Sequence, residues 1–280
     1  VSDGRSFNPR GAAGFGWGAA IGSLGGLIGL GGAEFRLPVL VGRFRLPTLE
    51  AVILNKAMSL VVVAFAFAFR AGAIPFADVL AHADIAANLL AGSLVGAWWA
   101  AGHAMRMPRR LLDRVILVLL AMLALVLLAE AWRGGHDGGA PLLADKTLRW
   151  LAGLAAGLFI GMVAALLGVA GGELLIPTLV LLYGVNVKLA GSLSLAISLP
   201  TMLVGFARYR ESAAFAALKR ERALLLAMAA GSIVGAAIGG FLLGVVPARW
   251  LLAALGVILL VSAIKVFQHT RDEAPQMLSR

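Results

Sequence analysis

Gly29-Leu30-Gly31-Gly32-Ala33-Glu34-Phe35-Arg36-Leu37-Pro38 and, 139 residues later, Gly168-Val169-Ala170-Gly171-Gly172-Glu173-Leu174-Leu175-Ile176-Pro177 are variants of one pattern. Clustered glycines come first, then a single acid, then a proline four residues beyond it. Each copy interrupts a long apolar run. Clustered glycine lets a helix unwind, and proline suits the first turn of the helix that restarts, because its missing N–H is one of the amides left unpaired there. The segment therefore predicts two shortened helices joined by a break near membrane depth, with freed backbone groups and an acid beside it.

The same offset holds far outside this stretch. Gly14, Gly18 and Gly22 meet Gly153, Gly157 and Gly161; Ser59 meets Ser198; Phe76 meets Phe215; Gly92-Ser93 and Gly96 meet Gly231-Ser232 and Gly235; Pro108 meets Pro247. Roughly 30 identities fall in about 110 ungapped pairs, which shared apolar composition alone does not produce at Glu, Pro and Ser. The chain reads as two copies of one unit, residues 12–131 and 151–270, joined by a linker at 132–150 into one integrated membrane domain.

Composition fixes the solvent. Of 280 residues 61% are hydrophobic and 14% charged, and the mean hydropathy is +0.94. Ala51 to Phe69, Leu111 to Ala129, Leu148 to Val169 and Ala223 to Val246 are each long enough for a spanning helix, which needs about 20 apolar residues. None alternates as a barrel strand would. The formal charge of +10 sits mostly in short loops between apolar runs, so it reports topology and not nucleic acid. Absence of cysteine excludes disulfides, thiolate metal sites and a cysteine nucleophile.

Charge also orients the copies. In the first, basic residues lie around Arg36, Arg43 and Arg45 and again at Arg106 to Arg114, while the loop from Gly72 to Asp84 is acidic. In the second the middle loop is the basic one, with Arg208, Arg210, Lys219, Arg220 and Arg222. Positive loops stay cytoplasmic, so equivalent loops face opposite sides and the repeats are inverted. Long helices are expected at about 49–70, 83–104 and 109–131, with partners at about 188–209, 222–243 and 248–269. With the broken segments this gives an all-α polytopic membrane protein of about 8–10 membrane segments, two inverted-topology repeats with broken or re-entrant Gly-rich helices, and both termini cytoplasmic.

Candidate chemistry gathers at the breaks and on the helix after each. Amides near Gly31, Gly32, Gly171 and Gly172 are placed to attract an anion, although glycine there would equally serve close helix packing. Glu34 and Glu173 cost roughly 3 kcal/mol each near the bilayer centre. They read either as proton carriers that couple transport or as acceptors capping the exposed amides. Asn55 and Ser59, with Ser194 and Ser198 at the same offset, stand four residues apart and share a helical face. Lys56 has no counterpart, since Leu195 stands there. It would serve as the substrate's counter-charge, pair with Glu34, or snorkel to the surface. Trp98, Trp99, Trp132, Trp150 and Trp250 read as an aromatic belt, and the four histidines as solvated. No metal site, cofactor or catalytic residue is read.

GLGGAEFRLP at 29–38 and GVAGGELLIP at 168–177, followed in each copy by Ser59 or Ser198 at one offset, resemble the TauE/SafE family over nearly the whole chain. The resemblance implies an exporter, not an enzyme, in a bacterial inner membrane, with sulfite, an organosulfonate or a related sulfur oxyanion as substrate. Membrane lipid is the other expected partner, and the apolar surface permits a homodimer. Alternating access with Gly31, Gly32, Glu34, Asn55, Lys56, Ser59, Gly171, Gly172, Glu173, Ser194 and Ser198 around the substrate is the leading expectation. A cation transporter in which Glu34 and Glu173 ligate metal or sodium is the alternative.

Overall fold

Lipid satisfies no backbone amide, and every regular element among the described residues is a helix. The computed structural model describes residues 9–28, 32–70, 76–133 and 141–241, with residues 253, 256, 257, 260 and 261. In chain order come α1 (Pro9–Ile28), α2 (Ala33–Gly42), α3 (Thr48–Arg70), α4 (Phe76–Ala81), α5 (Ala83–Ala104), α6 (Arg109–Arg133), α7 (Lys146–Leu167), α8 (Gly172–Tyr183) and α9 (Val187–Tyr209). A 3-10 turn, Ala213–Ala216, then runs into α10 (Ala217–Arg220), and α11 follows (Arg222–Phe241). The helix expected at 248–269 lies outside the described residues but for those single positions, as do Gly29 and Gly31.

Among the described residues, four helices are long and apolar enough to cross a membrane, at Thr48–Phe65, Ala83–Ala104, Lys146–Leu167 and Leu189–Tyr209. A fifth span is added if Ala213–Arg220 and Arg222–Ile238, bent by 71° at a short break, count as one. The chain is an integral membrane protein. Helix bounds recur at the sequence offset: α1 ends at 28 and α7 at 167, α2 starts at 33 and α8 at 172, α3 runs 48–70 and α9 187–209, and α5 starts at 83 and α11 at 222.

Lipid offers no hydrophobic drive for helices to associate, so close backbone approach over small residues does that work. The most extensive helix pairings are α1 with α11 and α5 with α7. A Cβ added at Gly18 or Gly22 would run into the backbone of Met228 or Ser232 on α11, and one at Gly231 or Gly235 into Phe15 or Ala19 on α1. The other pair repeats this contact for contact. Gly157 and Gly161 abut Leu89 and Ser93, while Gly92 and Gly96 abut Leu154 and Leu158. Every one of these positions maps onto its equivalent at the 139-residue offset. Each pairing joins a helix from before the linker to one from after it.

Polar contacts locate the loops. Arg220, at the end of α10, pairs with Glu50 in the first turn of α3, and Arg10 pairs with Glu221 at 3.6 Å while donating to the Phe44 carbonyl. The chain entering α3 thus lies beside the chain entering α11 and the start of α1. Elsewhere Asn88 near the start of α5 accepts from Tyr183 at the end of α8, and Val79, Ile85 and Ala86 pack on the apolar cluster that holds Val185 and Leu189, so the chain entering α5 lies beside the one entering α9. Asp145 and Asn186 cap α7 and α9 by accepting from Leu148 and Leu189.

Candidate functional site

Gly32 and Gly171 set where α2 and α8 begin. Their φ values, +67° and +83°, are left-handed, a conformation only glycine adopts freely, and a Cβ at Gly32 would also meet the Ile21 carbonyl oxygen at 2.7 Å. Because each helix starts directly after its glycine, Glu34 and Glu173 fall in the first turn and Pro38 and Pro177 in the second. The sequence reading had put each proline in the first turn. In the second turn the proline has no N–H to return to the carbonyl four residues back, which belongs to Glu34 or Glu173. Each glutamate thus carries a carbonyl without its helical donor as well as a carboxyl group.

Those carboxyls are buried, Glu34 completely, and all four oxygens lack a hydrogen-bond partner among the described residues. Each carboxyl lies near its own backbone amide in the first turn of its helix, without a hydrogen bond of normal geometry. They come close enough to interact with each other, without a hydrogen bond of normal geometry. Two acids from segments 139 residues apart therefore share one buried site, beside the helix N-termini that favour negative charge. Gly172, also named from sequence, is the first residue of α8.

The face of α3 resolves into three roles. Asn55 bridges the two breaks, its amide donating at 3.0 Å both to the Ala33 carbonyl and to the Leu167 carbonyl. Lys56, one residue on and so about 100° around the helix, reaches other neighbours than Asn55 does. Its ammonium donates at 3.1 Å to the Ala164 carbonyl of α7, and a side chain at Gly205 of α9 would meet it at 3.0 Å. Lys56 is fully buried, so it does not snorkel, and no ion pair joins it to Glu34 among the described residues. Ser59 accepts from Arg36 at 2.8 Å. In the second copy Ser198 donates to the Ala170 carbonyl at 2.7 Å and Ser194 to Gly191 within its own helix.

Arg36 overturns an expectation. Counted from sequence as a loop charge reporting topology, it is fully buried on α2, where it also donates to Ser232 of α11 at 3.4 Å and leaves Nε without a partner. The left-handed glycine explains this: α2 starts at Ala33, so Arg36 falls inside the packed helix and not in the loop after it. A signal for its site was present, since Gly92-Ser93 and Gly231-Ser232 are equivalent serines in apolar helices, read as marks of duplication only. Ser93 shares a hydrogen bond of 2.6 Å with Thr201. Of the other polar groups, Arg208 lies 4.6 Å over the Trp98 ring and pairs with Glu211, anchoring the end of α9. Trp98, Trp99, Trp132 and Trp150 are exposed on the protein surface.

The arrangement is a set of buried charged and polar groups, two acids, a lysine, an arginine and several hydroxyls, placed where two helices restart inside an apolar bundle. Such groups in a membrane interior mark pathways for polar solutes. Neither the curated proteins nor the solved structures contain a match to the chain. The profile of one family, described as sulfite exporter TauE/SafE, matches residues 14–266, which takes in both breaks and every side chain of this site. The chain belongs to the sulfite exporter TauE/SafE family of membrane transporters.

Proposed function

We propose that this protein exports a small sulfur oxyanion, sulfite or an organosulfonate, across a bacterial inner membrane by alternating access. The observation that carries the reading is the pair of breaks, one per copy, held together by Asn55 and lined by Glu34, Glu173 and uncapped helix N-termini in a chain of this family. Lys56 supplies a counter-charge on the path between α3, α7 and α9. The amides that follow Gly32 and Gly171, the latter joined by Gly172, attract the anion, and Asn55, Ser59, Ser194 and Ser198 line its route. Glu34 and Glu173 exchange a proton as the site opens to either side, which couples flux to the proton gradient. Inversion of the copies is supported by the packing of the loop before α3 against that before α11, and of the loop before α5 against that before α9. Under inversion these are the loops that share a side.

Flux in proteoliposomes tests the reading. Sulfite efflux should respond to an imposed pH gradient at fixed potential, and Glu34→Gln together with Glu173→Gln should abolish that response. Flux indifferent to the gradient in the unmodified protein removes proton coupling. The four unpartnered carboxylate oxygens favour a second reading, a cation held between Glu34 and Glu173. A thermal-shift screen separates the two: stabilisation by sulfite or a sulfonate supports the anion, and stabilisation by sodium or a divalent cation alone supports the cation.

A further inference from the structure

We infer that Arg36, with the hydroxyls of Ser59 and Ser232, is the seat that grips the head of the transported anion, and that its donors favour a three-oxygen sulfur group over a two-oxygen carboxylate. The inference rests on the exporter reading and names the binding centre within it.

A guanidinium carries five N–H donors in a fixed plane and no acceptor. At Arg36 one contact goes to Ser59 and one to Ser232, both neutral hydroxyls, and Nε has no partner. Among the described residues no carboxylate lies within ion-pairing distance, although the side chain is wholly buried. As a structural tie this is poor, since an apolar residue of similar volume usually stabilises a buried site as well or better than a buried charge whose neighbouring acid, Glu34, feels its field but makes no direct contact with it. As a seat for an anion it is well made. Each serine accepts from Arg36, and neither hydroxyl donates to another protein group among the described residues, so two O–H donors stand beside the free Nε–H. Three donors from α2, α3 and α11 match the three oxygens of sulfite or a sulfonate.

The seat occurs once. At the 139-residue offset Leu175 stands in place of Arg36, and the equivalent serines are satisfied by protein: Ser198 donates to the Ala170 carbonyl and Ser93 shares its bond with Thr201. Duplication supplied two sets of hydroxyls, and a single arginine turned one of them into a site. One anion per chain follows.

Calorimetric titration of the purified full chain in detergent, with sulfite, ethanesulfonate and acetate as probes, tests this. The unmodified protein should bind sulfite and ethanesulfonate at one per chain and more tightly than acetate. Arg36→Lys, which keeps the charge and loses the fork, should weaken both sulfur anions roughly tenfold or more. Ser232→Ala, which removes one hydroxyl and adds no bulk, should weaken them several-fold and narrow their advantage over acetate. A purely structural role for Arg36 would lower the ligand-free Tm of Arg36→Lys and leave the affinity of the folded protein unchanged, which would overturn the inference. If Arg36→Lys does not fold, Ser232→Ala decides: unchanged affinity and unchanged preference overturn it. If the unmodified protein binds none of the three probes, the exporter reading falls as well. Binding that ignores both substitutions sinks the seat alone.

Discussion

Lys56 is buried among apolar helices with its amino group held by one carbonyl, that of Ala164. If it serves the anion, Lys56→Met should abolish sulfite binding in a titration while the far-ultraviolet circular dichroism stays helical; retained affinity would remove it from the path. Gly32 is judged on stability instead. Gly32→Ala forces a left-handed alanine, a cost of about 1–2 kcal/mol before its Cβ meets Ile21, so the melting temperature should fall. Asn55 and Ser59 stand out in the sequence because polar residues four apart in an apolar helix share a face, and Lys56 because a charge interrupts the same apolar run. Arg36 was not legible. Its equivalent is Leu175, so the repeat gave it no echo, and nearby Arg43 and Arg45 made it look like part of a charged loop.

At the scale of helices, the glycines of α1 and α7 act as a flat face against which α11 and α5 lay their backbones. Gly157→Leu would push α7 off the Leu89 carbonyl and should destabilise the protein by on the order of 3 kcal/mol, or prevent assembly. The exposed Gly16, whose added Cβ meets nothing within 4 Å, is the control: Gly16→Leu should leave thermal unfolding nearly unchanged. Among the described residues, the bounds of α3, α5, α6 and α9 fall within about two residues of those read from the apolar runs. The starts of α2 and α8 differ from the sequence expectation, since proline marks a permitted first turn but the left-handed glycine six residues earlier is what starts the helix. Which helix pairs with which was hidden as well, because a glycine face does not name its partner.

For the molecule as a whole, Arg220 meets Glu50 and Glu221 meets Arg10, so the chain entering α3, the chain entering α11 and the start of α1 lie together at one end of the bundle, the end that the charge pattern expects to be cytoplasmic. A C-terminal alkaline phosphatase fusion should therefore be inactive, reporting a cytoplasmic end, and an active one would reverse the topology. The crossed pairing of α1 with α11 and α5 with α7 also has a consequence in time. The glycine face of α1 is made first, and the helix that covers it follows roughly 200 residues later. At ribosomal speed that is a wait of about 10–40 s. During it the nascent bundle presents bare glycine stripes to lipid or to the insertion machinery. A chain stopped at the linker leaves both of its stripes uncovered and should be degraded by membrane proteases. The two halves made together from separate messages should rescue one another.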